Sequence, residues 1–159
     1  MRPNPVNPEG GGLSTVLNIG MKAARHAALI ETHGKVAADA LYLRFVRGYA
    51  THVARLDPDM FELGSPAALR DALMHYEREM DEPFPQTAAQ QLTEVLRSMA
   101  RAWEGTSARL LRQAKGAPAE ASLGLVVQAM AQGIGQGISG SGVIQFIDPI
   151  TGDAQITGR

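Results

Sequence analysis

Between residues 13 and 116 apolar positions recur every three or four residues with few interruptions, the period of helices that bury one face. Proline and glycine cut this stretch into segments. Asn18 stands where an N-cap belongs for a first helix through Met21, Ala24, Ala28 and Leu29, stopped near Gly34. A second helix is predicted from about Lys35 to Leu56, with Leu41, Phe45, Tyr49 and Val53 at four-residue intervals on one face. Asp57-Pro58 ends it, because proline disfavours helical geometry in the residue before it. Ser65-Pro66 opens a third helix that runs through Leu69, Leu73 and Tyr76 to Met80, where Glu82-Pro83-Phe84-Pro85 breaks it. Thr87-Ala88-Ala89-Gln90 has capping-box spacing and starts a fourth helix, with Leu92, Val95, Leu96, Met99 and Trp103 as its buried stripe. It extends toward Lys115, with Gly105-Thr106 as the place for a kink. Helices two and four should pack through Phe45 and Tyr49 on one and Met99 and Trp103 on the other.

After residue 122 the pattern changes to β. Leu123 to Met130 and Gly142 to Ile147 are apolar and β-branched. Asp148-Pro149-Ile150-Thr151-Gly152-Asp153 has turn chemistry, and Ala154 to Thr157 reads as a returning strand. The fold class is therefore α+β, mainly α: four or so helices followed by a short antiparallel β segment. One structural domain is expected, with residues 1–12 as an irregular N-terminal segment, 13–120 as a helical subdomain and 121–159 as a β segment with a Gly-rich loop.

Composition narrows the functional classes. A net charge of -1 over 159 residues removes a general pull toward nucleic acid or acidic membranes. Without cysteine there is no disulfide, thiolate nucleophile or zinc-thiolate site. No apolar run approaches the ~18 residues of a membrane span, and Met1-Arg2-Pro3-Asn4-Pro5 does not read as a signal peptide. A cytoplasmic protein with no nucleic-acid or membrane partner is expected.

Gly135-Gln136-Gly137-Ile138-Ser139-Gly140 fits G-x-G-x-x-G after a strand, but it leads into Val143-Ile144-Gln145-Phe146 rather than a helix, so a dinucleotide-binding turn is excluded. By composition the loop reads as a flexible hairpin connection. His26, His33, His52 and His75 sit on separate helical stretches with no metal-ligand spacing. Asp57, Asp59 and Glu62, and likewise Glu77, Glu79, Asp81 and Glu82, are solvated helix ends. Arg97, Arg101, Arg109 and Arg112 form a basic strip suited to a solvated or docking face. The residues by themselves offer no complete catalytic set.

Several stretches resemble the pyruvate phosphate dikinase family. Leu123 to Met130, the Gly-rich loop, Ser141-Gly142-Val143 and the Asp148–Asp153 turn resemble that family's Val-Gln-x-Met strand, Thr-Gly-Val turn and Asn-Pro-x-Thr-Gly-Glu turn, in order and spacing. Ser14-Thr15-Val16-Leu17-Asn18-Ile19-Gly20 resembles its Asp-Thr-Val-Leu-Asn-Leu-Gly segment. Arg44-Phe45, Arg101-Ala102-Trp103 and Ala108-Arg109 match its helices, so the likeness covers the chain from about residue 12.

The resemblance implies part of an ATP-grasp nucleotide-binding domain. That family is a phosphotransferase that uses ATP and magnesium to make phosphoenolpyruvate through a phosphohistidine on another domain. By position, Gln128, Ala129 and Met130 would form the strand edge beside adenine, while Ser141 and Gly142 would offer the hydroxyl and N–H groups that meet phosphate. Other positions depart from the family. Ile147 stands where it has arginine, Arg159 where it has an acidic residue, and no arginine pair lies near Pro3 to Val6. Its metal-holding carboxylate has no counterpart here. A fragment or degenerate relative of the ATP-binding domain is expected, not catalytically complete alone, with homo-oligomerisation or the parent enzyme's missing domains as partners. The alternative is a non-catalytic protein-interaction module that keeps the helical subdomain.

Overall fold

The computed structural model describes residues 1–5, 14–61, 67–118, 121–134, 138–140, 142–148 and 150–158. It is mainly helical with two small antiparallel sheets, the α+β class that the pattern predicts. The helices are α1 (Ala23–His33), α2 (Lys35–Tyr49), α3 (Ala68–Met80), α4 (Ala88–Glu104) and α5 (Thr106–Ala114). Strand β1 (Arg2–Pro5) pairs with β2 (Leu123–Val126), and β3 (Ile144–Ile147) pairs with β4 (Ala154–Gly158).

Helix boundaries differ from the pattern in instructive ways. Asn18 is not an N-cap. It adopts a left-handed backbone with φ 60°, Gly20 follows at φ 99°, and the chain turns before α1 begins behind Lys22. Helix α2 is regular only to Tyr49; Ala50–Ala54 then widens into a π-helical turn that ends at Arg55 in the left-handed region. Ser65 and Pro66, the expected start of α3, lie outside the described residues. The Thr87 cap is present, its hydroxyl accepting from the Gln90 N–H at 3.2 Å, but the Gln90 side chain turns to Glu94 instead of completing a capping box. Gly105 takes an extended conformation and separates α5 from α4 outright.

The β regions carry two corrections. The opening segment, expected to be irregular, contains β1, with Arg2 opposite Val126 and Pro5 opposite Leu123. Because β2 pairs with β1 and β3 with β4, the Gly-rich stretch joins two separate sheets and is no hairpin connection. The Asp148 turn forms as expected, its carboxylate accepting from the Ile150 N–H at 2.8 Å.

The core is aromatic at its centre. Phe84, between two prolines, is buried, and its ring centroid lies 5.0 Å from Tyr76, 5.2 Å from Tyr49, 5.5 Å from Phe45 and 6.2 Å from Tyr42. The segment that breaks the helical pattern thus fills the space between α2 and α3. Helix α4 meets the π-helical turn, where the Ser98 hydroxyl donates to the His52 carbonyl at 2.8 Å. Val95, Met99 and Trp103 are buried as expected, whereas Leu96 is exposed. Trp103 packs away from Phe45 and Tyr49: the Arg112 guanidinium stacks 3.9 Å from its ring, and its indole N–H donates to Ala121 at 2.8 Å.

Candidate functional site

The turn at Asn18 builds one wall of a cleft. Asn tolerates the left-handed region better than other non-glycine residues, and the Met21 N–H closes the turn on the Asn18 carbonyl at 3.0 Å. Gln91, fully buried on α4, locks it in place. Its carbonyl oxygen accepts from the Gly20 N–H at 2.7 Å, and its amide donates to the Met21 and Pro85 carbonyls at 2.8 and 2.7 Å. Gln91 was not visible as a structural residue in the sequence, where it sits beside Gln90 in an unremarkable helical turn. Only its place on the same face as Val95 and Ser98 hinted at burial.

The other wall comes from the chain beyond β2. Pairing with β1 ends at Val126, so the strand expected to reach Met130 stops four residues early. Residues 127–131 continue as an exposed arm that faces the Asn18 turn. Between them lies a cleft of about 500 Å³, lined by Thr15, Leu17, Asn18, Gln128, Ala129 and Met130, with Ala88 and Leu92 of α4 also contributing. Three of the expected site residues therefore come together, and they meet the Thr15–Ile19 segment. Gly142 is exposed and does not line this cleft, and Ser141 lies outside the described residues.

Asn18 is the unusual group in the cleft wall. It is only 9% exposed, yet both its amide nitrogen and its amide oxygen lack a hydrogen-bond partner among the described residues. An unpaired buried amide is destabilising by about 1–3 kcal/mol per group, so it is the place where a ligand donor and acceptor would be most rewarded. Among the described lining residues Arg2 carries the one charged side chain, and Met1 adds its α-ammonium, which donates to the Val16 carbonyl at 2.6 Å. No group of three or more His, Asp or Glu side chains converges among the described residues. The described lining thus sets an amide donor and acceptor beside two cationic groups. Ile147 is exposed.

Among the titratable groups displaced from their ordinary values, the Met1 α-ammonium, lowered by burial, lines this cleft, and the others lie outside it. Burial pushes the Tyr49 phenol well above its usual range, and the hydrogen bond and charge of Glu94 push it further; burial also raises Tyr76, and Tyr42 against the opposing effect of the Gln86 amide. Burial, then the Arg55 charge, lowers His52. These are features of a packed core, not of an acid–base pair. Compared with protein-family models and with curated proteins, the chain matches none.

Proposed function

We propose that the chain is a nucleotide-binding module of the pyruvate phosphate dikinase type, which takes the adenine end of ATP into the cleft between Asn18 and Gln128–Met130. Alone it does not transfer phosphoryl groups. The observation that carries this reading is the orphaned Asn18 amide in a cleft walled by the two stretches that resemble family segments. A carboxamide presents one donor and one acceptor side by side, the pattern that pairs with the edge of adenine.

The phosphate end is poorly provided. Arg2 and the Met1 α-ammonium, the latter engaged with the Val16 carbonyl, are the charged groups in the described lining, and magnesium has no carboxylate cluster among the described residues. Phosphoryl transfer needs metal, cation and acceptor placed together. Binding is therefore weak, with a dissociation constant of ~1 mM or worse, about -4 kcal/mol. Titrating the ¹⁵N-labelled chain with Mg-ATP tests this. Amide shifts should appear at Thr15–Ile19 and Gln128–Ala131, adenosine should give most of them, and Asn18→Gly, which keeps the left-handed turn but removes the amide, should abolish them while the rest of the spectrum persists. Shifts confined to other surfaces would sink the reading, and detectable ATPase turnover would show that a complete site had been overlooked.

A second reading, a protein-interaction module, is favoured by the β3–β4 hairpin. Every residue of both strands is exposed, including Ile144, Phe146 and Ile156. Two-stranded hairpins are marginal in water on their own, so self-association or a partner strand would cover it. Sedimentation at increasing concentration distinguishes a monomer from such an assembly.

A further inference from the structure

Helix α2 borders a second concavity that shares no residue with the Asn18 cleft. Its volume is about 920 Å³, within the range of small-molecule sites. Leu43, Ala68 and Leu69, with Pro58, give it an apolar floor, and Val36 at its mouth is 86% exposed. The face of α2 that runs through Val36, Ala40, Arg44 and Arg47 to Thr51 thus has no covering element among the described residues.

Three details make this more than a bare apolar face. First, the Thr51 hydroxyl oxygen is buried without a hydrogen-bond partner among the described residues, and Thr51 lines the groove where α2 widens into the π-helical turn. Such turns recur at functional sites. Second, Gly48 lies mid-groove in a helical conformation, and a Cβ there would meet nothing within 4 Å. No described neighbour requires a glycine, although alanine suits a helix better. Third, the charge is one-sided. Asp39 is committed to Lys35 and to the His26 ring, whose Nε2 lies 2.7 Å from it. Arg44 and Arg47, three apart on the same face, have no ion-pair partner among the described residues.

We propose that this groove binds a small amphipathic carboxylate, with its apolar body on Leu43, Ala68 and Leu69 and its carboxylate held by Arg44, Arg47 and the Thr51 hydroxyl. A carboxylate is favoured because its two oxygens match a guanidinium fork, while one buried hydroxyl supplies a further donor. The volume of the groove suits a ligand of medium chain length.

Decanoate, kept below its micelle concentration, is the probe, with decanol and inorganic phosphate as controls, each titrated into the ¹⁵N-labelled full chain. Decanoate should give saturable shifts at Leu43, Gly48, Thr51 and Leu69, decanol should bind about tenfold more weakly, and phosphate should give none. Replacing both arginines, Arg44→Gln with Arg47→Gln, should weaken decanoate about tenfold and leave decanol unchanged. Gly48→Leu should fill the groove and block both alcohol and acid without lowering the melting temperature, which keeps the test valid if the arginine variant folds poorly. Equal binding of decanol and decanoate, phosphate shifts at the same residues, or no groove shifts at all would each overturn the proposal.

Discussion

Truncating Phe84 to alanine removes the ring around which the core is arranged. Four aromatic centroids lie within 6.2 Å of it, three of them at T-shaped angles of 66–89° from α2 and α3 residues at 5.5 Å or closer. Deleting a fully packed phenylalanine costs about 3–5 kcal/mol, through lost transfer energy and the cavity that remains. Edge-to-face pairs add ~0.5–1.5 kcal/mol each beyond burial, partly contained in that figure. Phe84 sits between Pro83 and Pro85, and the Pro85 carbonyl is pinned by Gln91, so the segment cannot easily collapse into the void. The expected loss is therefore near the upper end, about 4–5 kcal/mol. For a chain of this length that lowers the melting temperature by roughly 10–15 °C, out of a total stability of ~5–15 kcal/mol. Phe84→Leu keeps most of the volume and should lose only about 1–1.5 kcal/mol. Urea unfolding followed by far-ultraviolet circular dichroism reads both variants. If Phe84→Ala lost less than about 1.5 kcal/mol with an unchanged denaturant slope, Phe84 would not be the centre of the core.

Three further outcomes follow from the same packing. Gln91→Leu leaves the Gly20 N–H and the Met21 and Pro85 carbonyls without their partner, so it should destabilise by about 3 kcal/mol or more and shift the Ile19 and Gly20 amide resonances; a neutral effect would mean water replaces it. All three tyrosines have phenols raised by burial, so the stability they contribute is complete below the ordinary value of about pH 10 and is lost as pH rises above it. Ultraviolet titration should show tyrosinate only together with unfolding, and ionisation in the native state near pH ~10 would contradict the burial. Trp103, the single tryptophan, should emit at shorter wavelength than a solvated indole, and Trp103→Ala should cost roughly 3–5 kcal/mol; a water-exposed emission maximum would refute its stacking on Arg112.

The helices were legible because they are set by local signals. The apolar period and the Thr87 cap are decided within a few residues and the cap appears where the pattern puts it, whereas the second helical stretch ends at Arg55, short of Asp57-Pro58. Strand partners were not legible. Residues 2–5 read as irregular because two prolines in four residues argue against a strand, yet an edge position tolerates them, and Leu123–Val126 supplies the other side of the ladder. The π-helical turn was equally hidden, since nothing in Ala50-Thr51-His52-Val53-Ala54 distinguishes a widened turn from an ordinary one. Phe84 was read as part of a break because backbone grammar dominates a Pro-Phe-Pro triplet. The break is what carries the ring into the core: released from helical geometry, the segment can cross between α2 and α3.

The site shows the same division between local chemistry and long-range placement. Asn18 carries both chemistries available to a short amide, capping a helix or holding a left-handed turn, and sequence alone weighs the cap more heavily because Met21, Ala24 and Ala28 follow at helical spacing. The choice is made elsewhere. Gln91 takes the Gly20 N–H and the Met21 carbonyl, two backbone groups that an early helical start would draw into its own first turn, so the helix begins only at Ala23. The price of that arrangement is an Asn18 side chain released from capping and left buried without a partner. Residues so placed are expected where structure yields to binding. Gln128, Ala129 and Met130 could be singled out from their own stretch, but that they would face Asn18 depends on β1 holding β2 in register. The cleft is thus a product of two contacts distant in sequence, one through Gln91 and one through Arg2–Pro5, and breaking either should open it without touching a residue that lines its centre.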